Sequence, residues 1–524
     1  MENKNTTPPK QVIKNAFKEL GETLVAFIKA PRALWGINIP YVLEGLTYFG
    51  ILTILGKYCS ENVGLSDLHA GWVYGGVTGG ITFAMLVLGG VSDKIGVRTS
   101  LAIAFAAMAV GRVLVALSGT LPLGSGMGSP MFFIMAIGLI IMVSAYGMYQ
   151  PAAYAGVKRY TNPQTATMGY AVIYALMNLG AFISGPIASF TRQGSEDVFP
   201  PNGLTAVFWV FAGITIISFI ATVTIITKRV DKNAVERVAR ELRLMRTKEE
   251  NVKAEKSEST TPKSRVSSIP FFAYLLIAFI AFIFAFSPMG QRMIALKVGG
   301  IILGVLTGLL AGWEYLRHRP EHPFRDVRFV FFIFILIPVQ TLFAHNWLTI
   351  PYYLDRAFHG GWVSNYFEVL SNLNPIIIFI ITPIIAGLTA RANVYRMMIL
   401  GTFVMAAPTF LLTLGPSAVF FVIYIIIMSV GEAMWQPRFL QWVAEIAPEG
   451  KIGAYMGIAQ FPWFLTKLVT SFYSGWFVAH YIPKPETGLA IRSGEMWFFY
   501  ALIAMLSPLA LWMAKKWMIK GMKS

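Results

Sequence analysis

Several ionisable residues stand inside apolar runs where charge is expensive: Glu44, Arg112, Glu432 and Lys467, with His345 toward the end of another run. In hydrocarbon each costs about 2.5–3.5 kcal/mol even on the gentler insertion scales, so such residues usually face a cavity or a partner. The chemistry open to them is proton exchange and solute binding. Burial disfavours the charged form of a carboxylic acid, which makes Glu44 and Glu432 candidates to bind and release a proton. The other reading of each is a neutral, hydrogen-bonded glutamate that locks helices together. Arg112 either pairs with Glu44 or binds an anionic solute. His345, beside Asn346 and Trp347, is a third proton-coupling candidate. Lys467 either snorkels to the inner interface or has a functional role. Tyr48, Tyr149, Tyr174 and Trp435 fall near these polar positions, where a ring can stack on a solute and its polar tip can hydrogen-bond it.

Other chemistries find no support in the sequence. No Gly-x-x-x-x-Gly-Lys-[Ser/Thr] loop is present, which argues against ATP-driven transport within this chain. No His-Glu-x-x-His or clustered Cys/His set suggests a metal. The single cysteine, Cys59, excludes an intramolecular disulfide and reads as a small apolar filler. The expectation is a protein that is not an enzyme and needs no cofactor.

The elements that position these residues are membrane spans. The chain is 56% hydrophobic and 13% charged, with a mean hydropathy of +0.60. Its apolar residues come in runs of about 20, the length that crosses a hydrocarbon layer as a helix. Six spans are expected over Ile37–Lys57, Gly71–Gly89, Thr99–Leu117, Met131–Ala153, Ala166–Phe190 and Leu204–Thr227. A charged stretch, Lys228–Ser268, follows as a cytoplasmic linker, helical over Ala234–Lys248. Two further spans, Ile269–Phe286 and Ile294–Leu316, form an extra hairpin. Six more complete the chain: Val327–Ile350, Phe367–Leu388, Tyr395–Leu414, Val419–Pro437, Gly453–Tyr481 and Glu495–Lys516. The expected organisation is a cytoplasmic N-terminal segment (1–36), a bundle (37–227), the linker (228–268), the hairpin (269–316), a second bundle (327–516) and a short tail (517–524). Residues 1–30 lack the apolar core of a secretory signal, and Ile13–Ala30 suits an amphipathic helix on the cytoplasmic leaflet. The net charge of +17 does not point to nucleic acid, because most Lys and Arg fall on one side of this topology. By the positive-inside rule both termini are cytoplasmic.

Six plus six spans around a basic linker resembles the major facilitator superfamily. The loop Gly89-Gly90-Val91-Ser92-Asp93-Lys94-Ile95-Gly96-Val97-Arg98 resembles that family's signature, Gly-x-x-x-Asp-[Arg/Lys]-x-Gly-x-[Arg/Lys]. The resemblance implies structural or gating roles for Gly89, Asp93, Lys94, Gly96 and Arg98, and Arg112 joins them as a holding residue of the first bundle. A narrower resemblance is to the proton-dependent oligopeptide transporter family. It rests on Gly147-Met148-Tyr149-Gln150-Pro151, on Tyr174-x-x-x-Asn178-x-Gly180, on Asn374-Pro375, on Gly431-Glu432 with Pro437, and on Ala447-Pro448 followed by Met456-Gly457. The extra hairpin also fits bacterial members. The residues' own placement together with this resemblance gives expected solute contacts at Glu432, Tyr48, Tyr149, Gln150, Tyr174, Asn178 and Trp435, and expected proton coupling at Glu44, Glu432 and His345.

The departures are as informative. That family's first span carries Glu-x-x-Glu-Arg-Phe-x-Tyr-Tyr-Gly, where this chain has Tyr41 for the first Glu and Gly45 for the Arg; Glu44 remains. Gln150 stands where the fourth span has Lys. The expected architecture is all-α, a major facilitator fold of two six-helix bundles plus a two-helix hairpin, about fourteen spans. The expected function is proton-coupled secondary transport of a peptide-like or other small organic solute. One rival is a facilitator or exporter of a drug-like, lipid-like or siderophore substrate; another is a non-transporting sensor or scaffold. The expected partners are a small-molecule substrate, protons and the lipid bilayer, with no nucleic acid. The expected location is a bacterial cytoplasmic (inner) membrane. A monomer suffices for this architecture, and the sequence leaves the oligomeric state open.

Overall fold

The computed structural model describes residues 18, 31–88, 91–161, 163–250, 270, 273–274, 276–278, 280–281, 294–317, 319, 322–389, 392–447, 455 and 458–520. Among them are helices and loops but no strand. Eleven of the described helices are long and apolar enough to cross a membrane, by length and composition.

The first half comprises α1 (Arg32–Lys57), α2 (Asp67–Leu88), α3 (Val97–Thr120), α4 (Pro130–Tyr160), α5 (Pro163–Gln193) and α6 (Leu204–Ile225). The linker begins as α7 (Lys228–Glu250), and α8 (Ile294–Arg317) follows. The second half runs through α9 (Val327–Ile335), α10 (Ile337–Leu348), α11 (Ile350–Arg356), α12 (Phe367–Ser371), α13 (Leu373–Leu388), α14 (Val394–Ala406), α15 (Ala418–Ile446), α16 (Phe461–Tyr481) and α17 (Ser493–Ile519). Each half has its own apolar core, one around Leu55, Phe105 and Phe208, the other around Phe332, Met398 and Tyr424. Large apolar side chains also point outward, as Ile137, Ile140, Ile217 and Ile220 do. Water would penalise such a surface, whereas lipid does not. On α8, Leu303, Leu306, Leu309, Leu310 and Trp313 are all exposed.

The halves meet through a repeating pattern. Helix α2 packs on α16, α5 packs on α12 and α13, and α1 packs on α10, α11 and α12. Second span against eleventh, and fifth against eighth, is the exchange expected of two halves related by a pseudo-two-fold axis. Close approach is built from glycine. A methyl at Gly185 would lie 2.8 Å from the Glu368 carbonyl oxygen, and one at Gly475 would strike the backbone of Asp67.

The spans follow the apolar runs with local differences. The seventh is broken into α9 and α10 at Leu336, ahead of Pro338, which has no N–H and cannot continue the ladder. The next amide, Val339, donates to Ser507 Oγ of α17 at 3.0 Å instead. The ninth tightens to a 3₁₀ helix over Ala407–Leu414, with Pro408 in its first turn. The tenth does not stop at Pro437; α15 continues through it to Ile446. The linker helix starts earlier than expected, at Lys228, and is tied to the first half by Tyr160 Oη donating to Asp231 at 2.8 Å and Arg237 donating to the Tyr160 carbonyl at 3.0 Å. The N-terminal amphipathic segment, most of the span Ile269–Phe286 and the motif residues Pro448, Met456 and Gly457 lie outside the described residues.

Candidate functional site

A cavity of about 380 Å³ lies between the halves. Its walls obey helical spacing. On α1 they are Tyr41, Glu44, Gly45, Tyr48, Phe49 and Leu52, the i, i+3, i+4, i+7 pattern of one helix face. At α16 the same pattern gives the N-cap residue Gln460 and, within the helix, Trp463, Phe464 and Lys467. Tyr146, Tyr149 and Gln150 come from α4, Tyr74, Ile81, Thr82 and Met85 from α2, and Phe343, Ala344 and Trp347 from α10. Met177 of α5 and Gln436 of α15 close the ring. The lining is therefore rich in aromatic rings with a few convergent polar groups, as small-molecule sites are.

Glu44 does not stand alone in it. Arg112 Nη1 and Nη2 donate to its two oxygens at 2.8 and 2.5 Å, and Tyr146 Oη donates to Oε1. Thr47 Oγ1 donates to Oε2 at 3.2 Å, and Arg112 also reaches Thr215. Arg112 is fully buried. This two-pronged pair ties α1 to α3, α4 and α6, and it leaves the carboxylate neutralised at the cavity wall. Tyr146 was not expected from the sequence. Its signal was there: Tyr146 precedes Gln150 by one helical turn and so shares its face.

The second buried carboxylate is different. Glu432 lies in α15, 2% exposed, and accepts from Asn374 Nδ2 of α13 at 2.9 Å. The same Asn374 nitrogen lies 2.9 Å from Ser429 Oγ. Among the described residues no Lys or Arg pairs with Glu432, and it is not part of the cavity wall.

The remaining expected residues are scattered. Tyr48, Tyr149 and Gln150 line the cavity. Tyr174 and Asn178 sit on α5 away from that wall, Tyr174 half exposed and Asn178 donating to the Tyr174 carbonyl at 2.9 Å. Trp435 is fully buried behind the wall, its ring stacked 6.3 Å from that of Trp463 and its indole N–H on Met405. His345 is buried inside the second half, stacked 3.9 Å from Tyr500, with Nδ1 on Thr349 at 2.8 Å and Nε2 on Tyr473 at 3.2 Å. Its neighbour Ala344 faces the cavity, but the His345 ring points the other way, into this aromatic cluster. Lys467 takes a place on the cavity wall.

In the loop after α2, Val91–Ile95 is a short helix and Gly96, with φ of +85°, breaks it before α3. Arg98 Nε donates at 2.6 Å to the carbonyl of Ile226, just past the end of α6, where a cation meets the negative end of the helix. Lys94 is exposed. Gly89 and the Asp93 side chain lie outside the described residues.

Sequence reading missed a whole feature at the other end of the half interface. Arg356 of α11 donates to both oxygens of Asp67 at 2.7 and 2.9 Å and to the Ile482 carbonyl at 2.9 Å. Lys57 bridges Asp355, and also Glu61 at 2.9 Å. Arg192 pairs with Glu368 at 2.5 Å and donates to the Asn365 carbonyl at 2.7 Å. Lys484 donates to the Ser60 carbonyl at 2.8 Å. Just beneath them Asn372 donates to Thr53 at 2.9 Å and accepts from Trp347 Nε1 at 3.3 Å. Trp347 is itself a cavity residue, so the roof of the cavity is hydrogen-bonded into this ionic clamp.

A helical protein with two cored halves and a cavity between them agrees with the sequence comparison. The family model of the Major Facilitator Superfamily matches residues 39–465. The chain belongs to the major facilitator superfamily. Among solved structures this superfamily member is similar to the POT family transporter PepTSo, at 16% identity and a TM-score of 0.64 over 94% of this chain and 99% of that one. It is similar to a peptide transporter POT in complex with sulfate, at 15% identity and a TM-score of 0.60 over 99% and 100%. A third is a POT family transporter in complex with 5-aminolevulinic acid, at 14% identity and a TM-score of 0.59 over 93% and 97%. At such identities the likeness establishes the fold alone. No curated protein sequence matches. The chain is thus a multi-pass membrane transporter of the major facilitator fold.

Proposed function

We propose that this transporter moves a small organic solute by alternating access, coupled to protons, through the cavity between its halves. The observation that carries the reading is the asymmetry of the half interface. A clamp of three ion pairs holds one end, and the cavity lies toward the other, the end that bears the N-terminus of α1 and the Gly96 loop. With both termini cytoplasmic, as the positive-inside pattern implies, this is a state closed outside and open inside. Domain limits at 37–227, 228–268, 269–316 and 327–516 suit two rocking bundles around a linker and a peripheral hairpin. The hydrogen bond from Trp347 to Asn372 offers a route by which an occupant of the cavity acts on the clamp.

Glu432 is the proton carrier in this reading. An ionised carboxylate buried without a cation is costly, and a proton on it removes that cost. Opening of the α13–α15 region would return it to water. Glu44 is a fixed member of a salt bridge and orients the wall. The loop from Gly89 to Arg98, including Asp93 and Lys94, acts at the open end, with Arg98 holding the end of α6. The test is uptake in proteoliposomes under an inward-directed pH gradient, with di- and tripeptides beside non-peptide solutes. Accumulation abolished by a protonophore supports coupling. Unchanged accumulation, together with a fully active Glu432→Gln variant, would sink it.

A second reading, transport of a non-peptide substrate, is favoured by a specific observation. The family-like positions that would clamp both ends of a peptide are Tyr41, Gly45 and Gln150 here, none of them charged.

A further inference from the structure

Resting on the reading of the cavity as the transport site, we propose that its substrate is an organic anion with an aromatic or other planar apolar body, its anionic group held by Lys467. Among the described lining residues the acidic and basic side chains are Glu44 and Lys467. Glu44 is spent, since both of its oxygens are taken by Arg112. That pair contributes no net charge to an occupant. The Lys467 ammonium makes no hydrogen bond or ion pair with the protein among the described residues, and it stands on the inward face of α16 between neutral neighbours. The cavity therefore carries one uncompensated positive charge in a low-dielectric wall, where a counter-charge is worth far more than in water.

The other polar groups are of the right kind to complete such a site. Gln150, Gln436 and Gln460 line the cavity, and their side-chain amides likewise have no partner within the described protein. An amide offers both a donor and an acceptor, so three of them can hold the neutral polar groups of a solute without adding charge. The rest of the wall is rings: Trp463 and Phe464 flank Lys467 on its own helix, and Tyr48, Tyr149 and Trp347 face them. Flat rings of this kind pack an aromatic body by stacking or edge contacts. The volume, about 380 Å³, lies at the small end of ligand sites.

A zwitterion such as a free peptide is a poorer match. Its ammonium needs a free carboxylate, and the wall offers none: Glu44 is paired, and Glu432 lies behind it with Asn374. An anion also suits the proton carrier. One proton and one monoanion cross together without net charge, so the pH gradient drives uptake and the membrane potential does not.

The experiment measures binding to the purified full-length protein by thermal shift and titration calorimetry. Matched probes share one aromatic body: 3-phenylpropionate, its neutral amide, the zwitterion phenylalanine and the cation phenethylamine, with indole-3-acetate and a Phe-Ala dipeptide beside them. The expected result is that a carboxylate binds at least tenfold tighter than its amide. Lys467→Gln should erase that preference while Lys467→Arg keeps it. The proposal is overturned if the zwitterion or dipeptide binds more tightly than the anion, if no aromatic monoanion binds, or if Lys467→Gln retains the preference. Should Lys467→Gln fail to fold, the wild-type ranking and Lys467→Arg still decide. Binding needs no flux, so the two readings fail separately. Anion binding without proteoliposome uptake defeats transport, and uptake of non-anionic solutes alone defeats the anion assignment.

Discussion

The two buried glutamates make the most instructive comparison in the molecule. Each sits in an apolar helix of a different half, and both are 2% exposed. Glu44 has a guanidinium on both oxygens and a phenol beside them. Glu432 has an amide. The first arrangement has the form of a joint between helices: its charge is compensated by a partner in the same half, and removing one partner strands the other. The second is a group whose burial is tolerable with a proton and costly without one. Equal burial therefore does not mean equal role. The partner decides, and the partner comes from another helix.

The largest effect that would break this comparison is on stability. Arg112→Met leaves the Glu44 carboxylate buried and unpaired, which should cost about 3–5 kcal/mol. The expected outcome is loss of monodisperse protein and a sharply lower melting temperature in detergent. The double variant Glu44→Gln with Arg112→Met should recover most of that loss. A single variant as stable as the native protein would show that the pair is no joint at all.

Next in size is the effect on coupling. Glu432→Gln should fold normally and lose proton-driven accumulation by about 100-fold, the lower range for removing a positioned proton carrier. Counterflow exchange, which needs no net proton movement, should persist. Equal losses in both assays would make Glu432 a binding or structural residue instead.

A smaller effect is expected at the ionic clamp, which ties the two halves together at one end of the cavity. Arg356→Gln removes the two bonds to Asp67, and a conformational bias of this kind typically shifts populations by about tenfold. The readout is labelling of a Leu52→Cys variant by an impermeant maleimide added from the outside, which should rise. Native Cys59 is buried against Met135 and gives little background. The smallest effect should be that of Trp435→Phe. It removes one indole N–H bond behind the wall, a loss of about 1 kcal/mol, so initial uptake rates should change less than about twofold. A larger change would move Trp435 onto the solute path.

Much of the scaffold was legible because its signal is local. A hydrophobic run of about 20 residues announces a span wherever it falls, and α3, α6, α8 and α17 begin and end within a few residues of their runs. Proline was read less well. Pro437 looked like a terminus, yet α15 runs through it, since neighbouring helices can satisfy a freed backbone group inside a membrane bundle. Of the site, the α1 and α4 faces could be seen through Glu44, Tyr48, Tyr149 and Gln150. The α16 face showed only through Lys467, because Gln460, Trp463 and Phe464 resemble any other helix surface until α2 and α10 are brought opposite them.

The charged clamp shows the same limit from another side. Lys57, Asp67, Arg192, Asp355, Arg356 and Glu368 were visible as charges at span ends, and span ends are where charges ordinarily sit. By itself the sequence determined that the chain is a bundle of membrane helices, and which few ionisable groups in the middle of its apolar runs need a partner or a cavity. Those follow from the cost of placing polar groups in hydrocarbon, which each segment meets alone. Only the tertiary structure decided which glutamate is paired, that Lys467 is not, and that three ion pairs close one end of the cavity. Pairing is a matter of distance between residues as much as 298 positions apart, and no local pattern encodes it.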